Sequence, residues 1–359
     1  MAFEQRLPIL GIAMGDPTGI GPEITVKAFK DRSIYELCRP LVVGSAKVVT
    51  QAIEIARADG FAVNRISSVT QARYEYGVID VLDQDTVDMA ALRHGRVDPM
   101  GGRAAYLAIE EVIRLAMRNE IDATITGPLN KEALNLAGYH YSGHTEIYAK
   151  LTGTKDYCMM LADGDLRVLH CTTHVALRKA CELCTKERVF KVIRLAAGVC
   201  GDLEIKSPRI GVAGLNPHAG ENGLFGFEEI EEIAPAVKLA QDGGIDAEGP
   251  IAPDTLFSKA IGGQYDAVVA MYHDQGHIPL KVKGFQYDHT LNKWQSVSGV
   301  NITLGLPIIR SAVDHGTAFG KAGKGTANEE SMLNAIVYGA KLASARMKKS
   351  GTQEMGEGQ

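Results

Sequence analysis

The stretch MYHDQGHIPL (271–280) sets His273 and His277 four residues apart, with an acid, Asp274, beside the first. On a helix that spacing would put two imidazoles on one face, as the H-E-x-x-H zinc pattern does. Gly276 and Pro279 fall inside or just after the pattern, and both are poor helix-interior residues. The preceding YDAVVAMY (265–272) is apolar and β-branched over the length of a buried strand. His273 is therefore expected at the carboxyl end of a strand, with a glycine-containing loop after it.

Two more histidines close apolar runs: His174 in VLHCTTHVAL and His218 in GLNPHAGENG. Three neutral imidazoles from separate strand ends suit a divalent transition metal with positions left open for substrate. Taken singly, each reads as a hydrogen-bonded loop histidine. His277 is a fourth ligand or a loop residue, with the loop favoured. An anion site is the second candidate. SGHTEIYAKLTG (142–153) places His144 and Thr145 where a helix should begin, and helix N-termini attract phosphate and carboxylate. Thr145 as a plain cap is the equal alternative. Lys281 follows the 271 stretch and Arg310 closes NITLGLPIIR; cations at strand ends suit phosphate.

GDPTGIGPE (15–23) matches neither the Walker loop nor the G-x-G-x-x-G fingerprint. DHGTAFGKAGKGTANEES (314–331) holds four glycines and two lysines before the last helical stretch. It could wrap a nucleotide without a Rossmann turn.

These residues need elements to carry them. Apolar runs such as PILGIAMG, RPLVVGS, DATITGP and RIGVAGLNP alternate with amphipathic stretches at 101–120, 227–244 and 327–349. That alternation predicts an α/β fold with a largely parallel sheet. CMMLADGDLRVLHCTTHV (158–175) is different, two apolar runs around DGD, and predicts an antiparallel hairpin. At 359 residues the chain can form one to three domains. A net charge of −5 gives no nucleic-acid footprint, and no apolar run nears the roughly 20 residues that span a bilayer. No signal peptide is read at the N-terminus, so a cytoplasmic address is expected. The single CELC (181–184) is a weak zinc signal and is read as plain thiols on a helix.

Nine motifs occur in order between about residues 7 and 335: AMGDPTGIGPEI, TGPLNKEAL, SGHTE, TTHVAL, GLNPHAGENG, PDTLF, HDQGHIPLK, GVNITLGLPIIR and DHGTAFGKAGKG. Together they resemble the 4-hydroxythreonine-4-phosphate dehydrogenase family. The resemblance implies an isocitrate/isopropylmalate dehydrogenase-like fold, two α/β/α domains flanking a cleft. The expected division is 1–130 plus 300–350, carrying the NAD loop, and 131–299, carrying metal ligands and dimer contacts. A disordered tail is expected at 351–359.

The resemblance also implies roles. His174, His218 and His273 would bind a divalent metal (zinc, magnesium, manganese or cobalt) at a site built from both subunits of a homodimer. His144, Thr145, Lys281, Asn301 and Arg310 would contact substrate. Asp254, Asp274 and Lys281 would handle protons. HGTAFGKAGKG resembles an adenosine-binding loop, with Gly316, Thr317, Gly323 and Asn328 as NAD contacts. The implied reaction oxidises a phosphorylated β-hydroxy acid with NAD and then decarboxylates it.

Two departures bear on the substrate. The family usually has an apolar residue where His277 stands; HDQGHIPLK looks like a sister branch acting on 4-phospho-D-threonate or 4-phospho-D-erythronate, giving dihydroxyacetone phosphate and carbon dioxide. QYDHTLNKWQSVSG (286–299), with the sole tryptophan, Trp294, is longer than the usual link and is expected to border the active site. The alternatives are 4-phosphohydroxy-L-threonine in pyridoxal phosphate (pyridoxine) biosynthesis, an aromatic cis-dihydrodiol carboxylate, and a non-catalytic metal or sugar-phosphate binding protein.

Overall fold

Strands that are apolar on both faces must be covered by helices on both sides, and the chain is built that way. In β1 (Ile9–Ala13), β2 (Arg39–Gly44) and β5 (Ala123–Thr126) nearly every residue is buried. The structure, a computed structural model, describes residues 6–290 and 293–356. It separates into two compact units, Met1–Lys155 with Leu306–Gln359, and Asp156–Gly305.

In the first unit, β3 (Ala62–Ile66), β4 (Val78–Asp83) and β14 (Arg310–Val313) complete the order β3-β4-β2-β1-β5-β14, with every pair parallel. The Pro99–Met117 helix starts on Asp98, whose carboxylate accepts from the Met100 amide at 2.7 Å, with proline in its first turn. It buries Ala108, Ile109, Val112 and Leu115 in a core shared with Leu41, Ile147 and Tyr148.

In the second unit the order is β13-β6-β7-β10-β8-β9, formed by β6 (Cys158–Asp163), β7 (Leu166–His170), β8 (Ile210–Ala213), β9 (Ala247–Ile251), β10 (Ala267–Ala270) and β13 (Val300–Leu304). β6–β7 is the expected hairpin, and β13 also joins β6 antiparallel; the other pairs are parallel. The long segment after Lys281 forms a separate antiparallel hairpin, β11 (Phe285–Asp288) with β12 (Lys293–Val297).

The boundaries between the units fall later than the expected 130/131 and 299/300. Ile147 and Tyr148 of the His144–Leu151 helix enter the first unit's core, so SGHT belongs there. β13 pairs with β6 and so stays in the second unit.

Three local expectations are corrected. His273–Gly284 is a helix, with Gly276 and Pro279 inside it, joined to β10 only by the two-residue bend at 271–272. Tertiary packing overrides propensity here. A Cβ on Gly276 would stand 2.3 Å from His170 Nε2 and 2.7 Å from Val168 Cγ1, so only glycine lets this helix lie on β7. Gln275 ties the same turn down, accepting from the Met271 amide at 2.7 Å and donating to the Gly214 carbonyl at 2.8 Å. Secondly, Arg310 opens β14 and does not close a strand. Gly305 (φ +88°) ends β13, and Leu306–Ile309 leads into the new strand. Thirdly, the final helix runs Glu330–Gly356 into the expected tail; residues 357–359 lie outside the described residues. Cys181 lies on the Leu177–Leu183 helix, Cys184 caps its end, and both are free thiols. Among the described residues no helix is long and apolar enough to cross a membrane.

Gly102 is a second close approach. A Cβ there would be 2.1 Å from the Ala133 carbonyl oxygen, a backbone atom that cannot swing away. Gly102→Ala is expected to destabilise the protein by about 1–3 kcal/mol, read as a lower urea midpoint at unchanged slope.

Candidate active site

In the second unit β7, β10 and β8 are adjacent and parallel. Their carboxyl ends share one edge, the usual ligand edge of an α/β sheet. His174 follows β7, His218 follows β8 and His273 follows β10. The rings of His174 and His273 come within 5.4 Å, centroid to centroid. His273 Nδ1 lies 2.7 Å from Asp274 Oδ1, which assigns the proton to Nδ1 and leaves Nε2 as the ligand atom.

His218 sits in a left-handed turn in which His218, Ala219, Glu221 and Asn222 all have φ between 45° and 55°. Such backbone is costly for residues with a Cβ. It is held from outside: the buried Glu229 carboxylate accepts from the Leu215 and Asn216 amides at 2.7 Å and from Asn216 Nδ2 at 2.9 Å. The structure thus pairs His174 with His273. Among the described residues, no group of three or more His, Cys, Asp or Glu is placed to hold a metal ion.

His277 belongs to the helix, not to a loop. Its Nδ1 donates to the His273 carbonyl at 2.9 Å, and its ring stacks on His273 at 3.6 Å and 13°. Behind it lies His170, 4.7 Å from His277 and fully buried, with Nδ1 on the Met159 carbonyl at 3.3 Å. Burial first, then the neighbouring His277, pushes the His170 pKa down to about 3. Asp274 is exposed; Asp254 is exposed in the first turn of the Pro253–Ile261 helix, apart from a 3.4 Å contact with Thr255 Oγ1. Lys281 Nζ lies 3.8 Å from the Phe285 ring centre. Asn301 is half-buried on β13, with Nδ2 3.1 Å from Met159 Sδ. The β11–β12 hairpin is pinned where it leaves the helix, by Lys283 on Asp163 at 2.8 Å and by Ser298 on the same carboxylate.

In the first unit, His144 and Thr145 open the His144–Leu151 helix, and its N-cap, Gly143, supplies no side-chain cap. Thr145 lies inside the helix and is not the cap. His144 Nε2 lies 3.2 Å from the Gly127 carbonyl. Burial, then the charge of Arg310, pushes the His144 pKa down to about 3, so the ring is neutral. Arg310 is 3% exposed, with its guanidinium 5.3 Å from the Tyr148 ring centre. Burial lowers its pKa to about 10, which leaves it charged. Tyr148, which sequence reasoning missed, donates to Thr124 Oγ1 at 2.8 Å, and Thr124 pairs in register with Arg310. The signal was available: Tyr148 stands one turn after His144 on the same helix face.

The 314–329 loop is anchored on the Gly21–Phe29 helix. Glu23 accepts from the Ala327 amide at 2.8 Å and pairs with Lys27 at 2.9 Å; Lys27 donates to the Gly325 and Ala327 carbonyls at 3.0 and 2.6 Å. Thr317 is buried, its carbonyl accepting from the Ile20 amide at 3.1 Å. Gly323 (φ +74°) packs on the His94 ring, and Asn328 Oδ1 accepts from the Glu330 amide at 2.7 Å. Gly316 borders open space. Both His94 ring nitrogens are buried and lack a hydrogen-bond partner among the described residues. Orphaned polar atoms beside an anchored glycine loop fit a polar ligand such as a nucleotide.

The family model described as "Pyridoxal phosphate biosynthetic protein PdxA" matches residues 36–339. A relative from Oceanobacillus iheyensis, named "Putative D-threonate 4-phosphate dehydrogenase", is 47% identical over 94% of this chain and 98% of its own. The crystal structure of a 4-hydroxythreonine-4-phosphate dehydrogenase from Burkholderia phymatum is similar with a TM-score of 0.78 at 45% identity, covering 94% of this chain and 99% of that one. A terephthalate 1,2-cis-dihydrodiol dehydrogenase from Burkholderia xenovorans LB400 has a TM-score of 0.63 at 30% identity, covering 93% and 99%. The fold is α/β, and the chain is a dehydrogenase acting on a CH–OH group. The chain belongs to the PdxA family, the 4-hydroxythreonine-4-phosphate dehydrogenases.

The two depressed histidines set a pH dependence. Their folded pKa values, about 3, lie below the unfolded value of about 6.5. Between those limits the unfolded chain binds more protons, so stability rises with pH. Acidification from pH 6.5 towards 4 should lower the unfolding midpoint, and His144→Gln should flatten that slope, as measured by denaturation across pH.

Proposed function

We propose that this protein is an NAD- and divalent-metal-dependent dehydrogenase that oxidises and decarboxylates 4-phospho-D-threonate or 4-phospho-D-erythronate to dihydroxyacetone phosphate and carbon dioxide. The observation that carries the phosphorylated substrate is the buried, charged Arg310 beside the uncapped helix start at His144 and Thr145. A charge kept in a buried place attracts an anion more strongly than it would in water. The relatives named for D-threonate 4-phosphate support the choice of acid.

His174, His218 and His273 would hold the metal, with Asp274 fixing the tautomer of His273. NAD, when bound, would supply the hydride acceptor, and a divalent cation would supply positive charge at the developing carbonyl. Gly316, Thr317, Gly323 and Asn328 belong to the nucleotide loop. Gly316 offers the open approach, while Thr317, Gly323 and Asn328 hold its shape. Arg310, His144, Thr145, Lys281 and Asn301 bind and orient the acid. A carboxylate, Asp254 or Asp274, or the Lys281 amine takes the hydroxyl proton.

The protein acts as a homodimer in which the partner completes the metal site. Two features support this. Among the described residues no group of three or more His, Cys, Asp or Glu is placed to hold a metal ion. The second unit also exposes Leu177, Leu224, Phe225, Phe227, Ile230 and Val282 by 49–75%, more large apolar surface than a solvated face usually carries.

NADH formation with a panel of acids tests the substrate. The expected products are NADH and dihydroxyacetone phosphate from the two sugar acid phosphates. Turnover of 4-phosphohydroxy-L-threonine alone would move the enzyme to pyridoxine biosynthesis, and turnover of only an aromatic dihydrodiol acid would remove the phosphate. Asp274→Ala should weaken metal binding about 10- to 100-fold, measured by chelator competition. Full activity after complete chelation would remove the metal assignment.

A further inference from the structure

Lys131 opens the Lys131–Leu136 helix directly after its cap, Asn130, whose side chain accepts from the Ala133 amide at 2.8 Å. A cation in the first turn stands at the unfavourable, positive end of the helix dipole. A Cβ on Gly143 would lie 3.7 Å from Lys131 Cε. The lysine stem therefore runs against the N-cap of the His144–Leu151 helix, a second positive helix end. Among the described residues no carboxylate lies within ion-pair distance of Lys131. Its charge also acts against protonation of His144.

Lys131 thus adds positive charge beside the start of the His144–Leu151 helix, and the first-turn acids of the two helices, Glu132 and Glu146, form no ion pair with it. A phosphate ester carries close to two negative charges at neutral pH. His144 is neutral there, so Arg310 supplies the one full charge among the first unit's assigned contacts, and Lys281 belongs to the other unit. We propose that Lys131 is a further substrate-binding residue, a phosphate ligand acting with Arg310, His144 and Thr145. This rests on the phosphorylated-acid reading above.

The test is calorimetric titration of the full chain with inorganic phosphate, for the wild type, Lys131→Met and Lys131→Arg. Lys131→Met should bind phosphate about 10- to 100-fold more weakly, the worth of a hydrogen bond to a charged group, with Lys131→Arg retaining most of the affinity. KM for the phosphorylated acid should rise in parallel, with KM for NAD and the circular dichroism unchanged. Equal phosphate affinity in wild type and Lys131→Met, or no phosphate binding by the wild type, overturns the proposal. If phosphate binding depends on Lys131 but the substrate panel yields only unphosphorylated acids, the anion site stands and the substrate reading falls.

Discussion

The close approach of the His273–Gly284 helix to β7 is the constraint on which much of the second unit depends. It exists because Gly276 has no side chain: a Cβ would strike His170 and Val168. With the helix seated, His273 emerges at the edge of β10 and His277 lies flat against it. His170 fills the space beneath, kept neutral by complete burial. One missing methyl group thus sets the direction of a metal-ligand candidate and of the ring that backs it. Pro279 survives in this helix because packing and the two bonds of Gln275 outweigh a lost backbone hydrogen bond.

The first unit solves a different problem, holding a charge in a dry place. Arg310 starts β14, so its backbone is fixed by pairing with β5. Its guanidinium lies on Tyr148, whose hydroxyl is committed to Thr124. A cation over an aromatic face recovers part of the lost hydration. His144 is forced neutral by the same burial and by Arg310 itself. The result is a buried charge beside a neutral imidazole and a committed hydroxyl, a setting in which a bound anion gains more than it would in water.

The left-handed turn carrying His218 follows the same logic. Its backbone is costly on its own, and Glu229, 13 and 14 residues past Asn216 and Leu215, holds it through their amides. Strain kept by outside bonds is found where a side chain must point in a direction ordinary loops do not provide.

Much of this was legible in the residues. Continuous apolar runs marked β1, β2, β5, β8 and β10, and DGD marked the β6–β7 hairpin, because strand burial and turn chemistry are local. His174, His218 and His273 were recognisable as residues beyond strand ends for the same reason. The helix through Gly276 and Pro279 was not legible: local propensity argues against it, and the contact that requires glycine comes from β7, more than a hundred residues earlier. Arg310 was misplaced because nothing local separates the close of one strand from the opening of the next in LGLPIIR. The sequence by itself determined which segments could be strands, where glycine and proline would punctuate them, and which side chains could bind a metal or an anion. Tertiary structure alone decided which of these meet, because burial, pairing and depressed pKa values arise from neighbours that the chain supplies from far away.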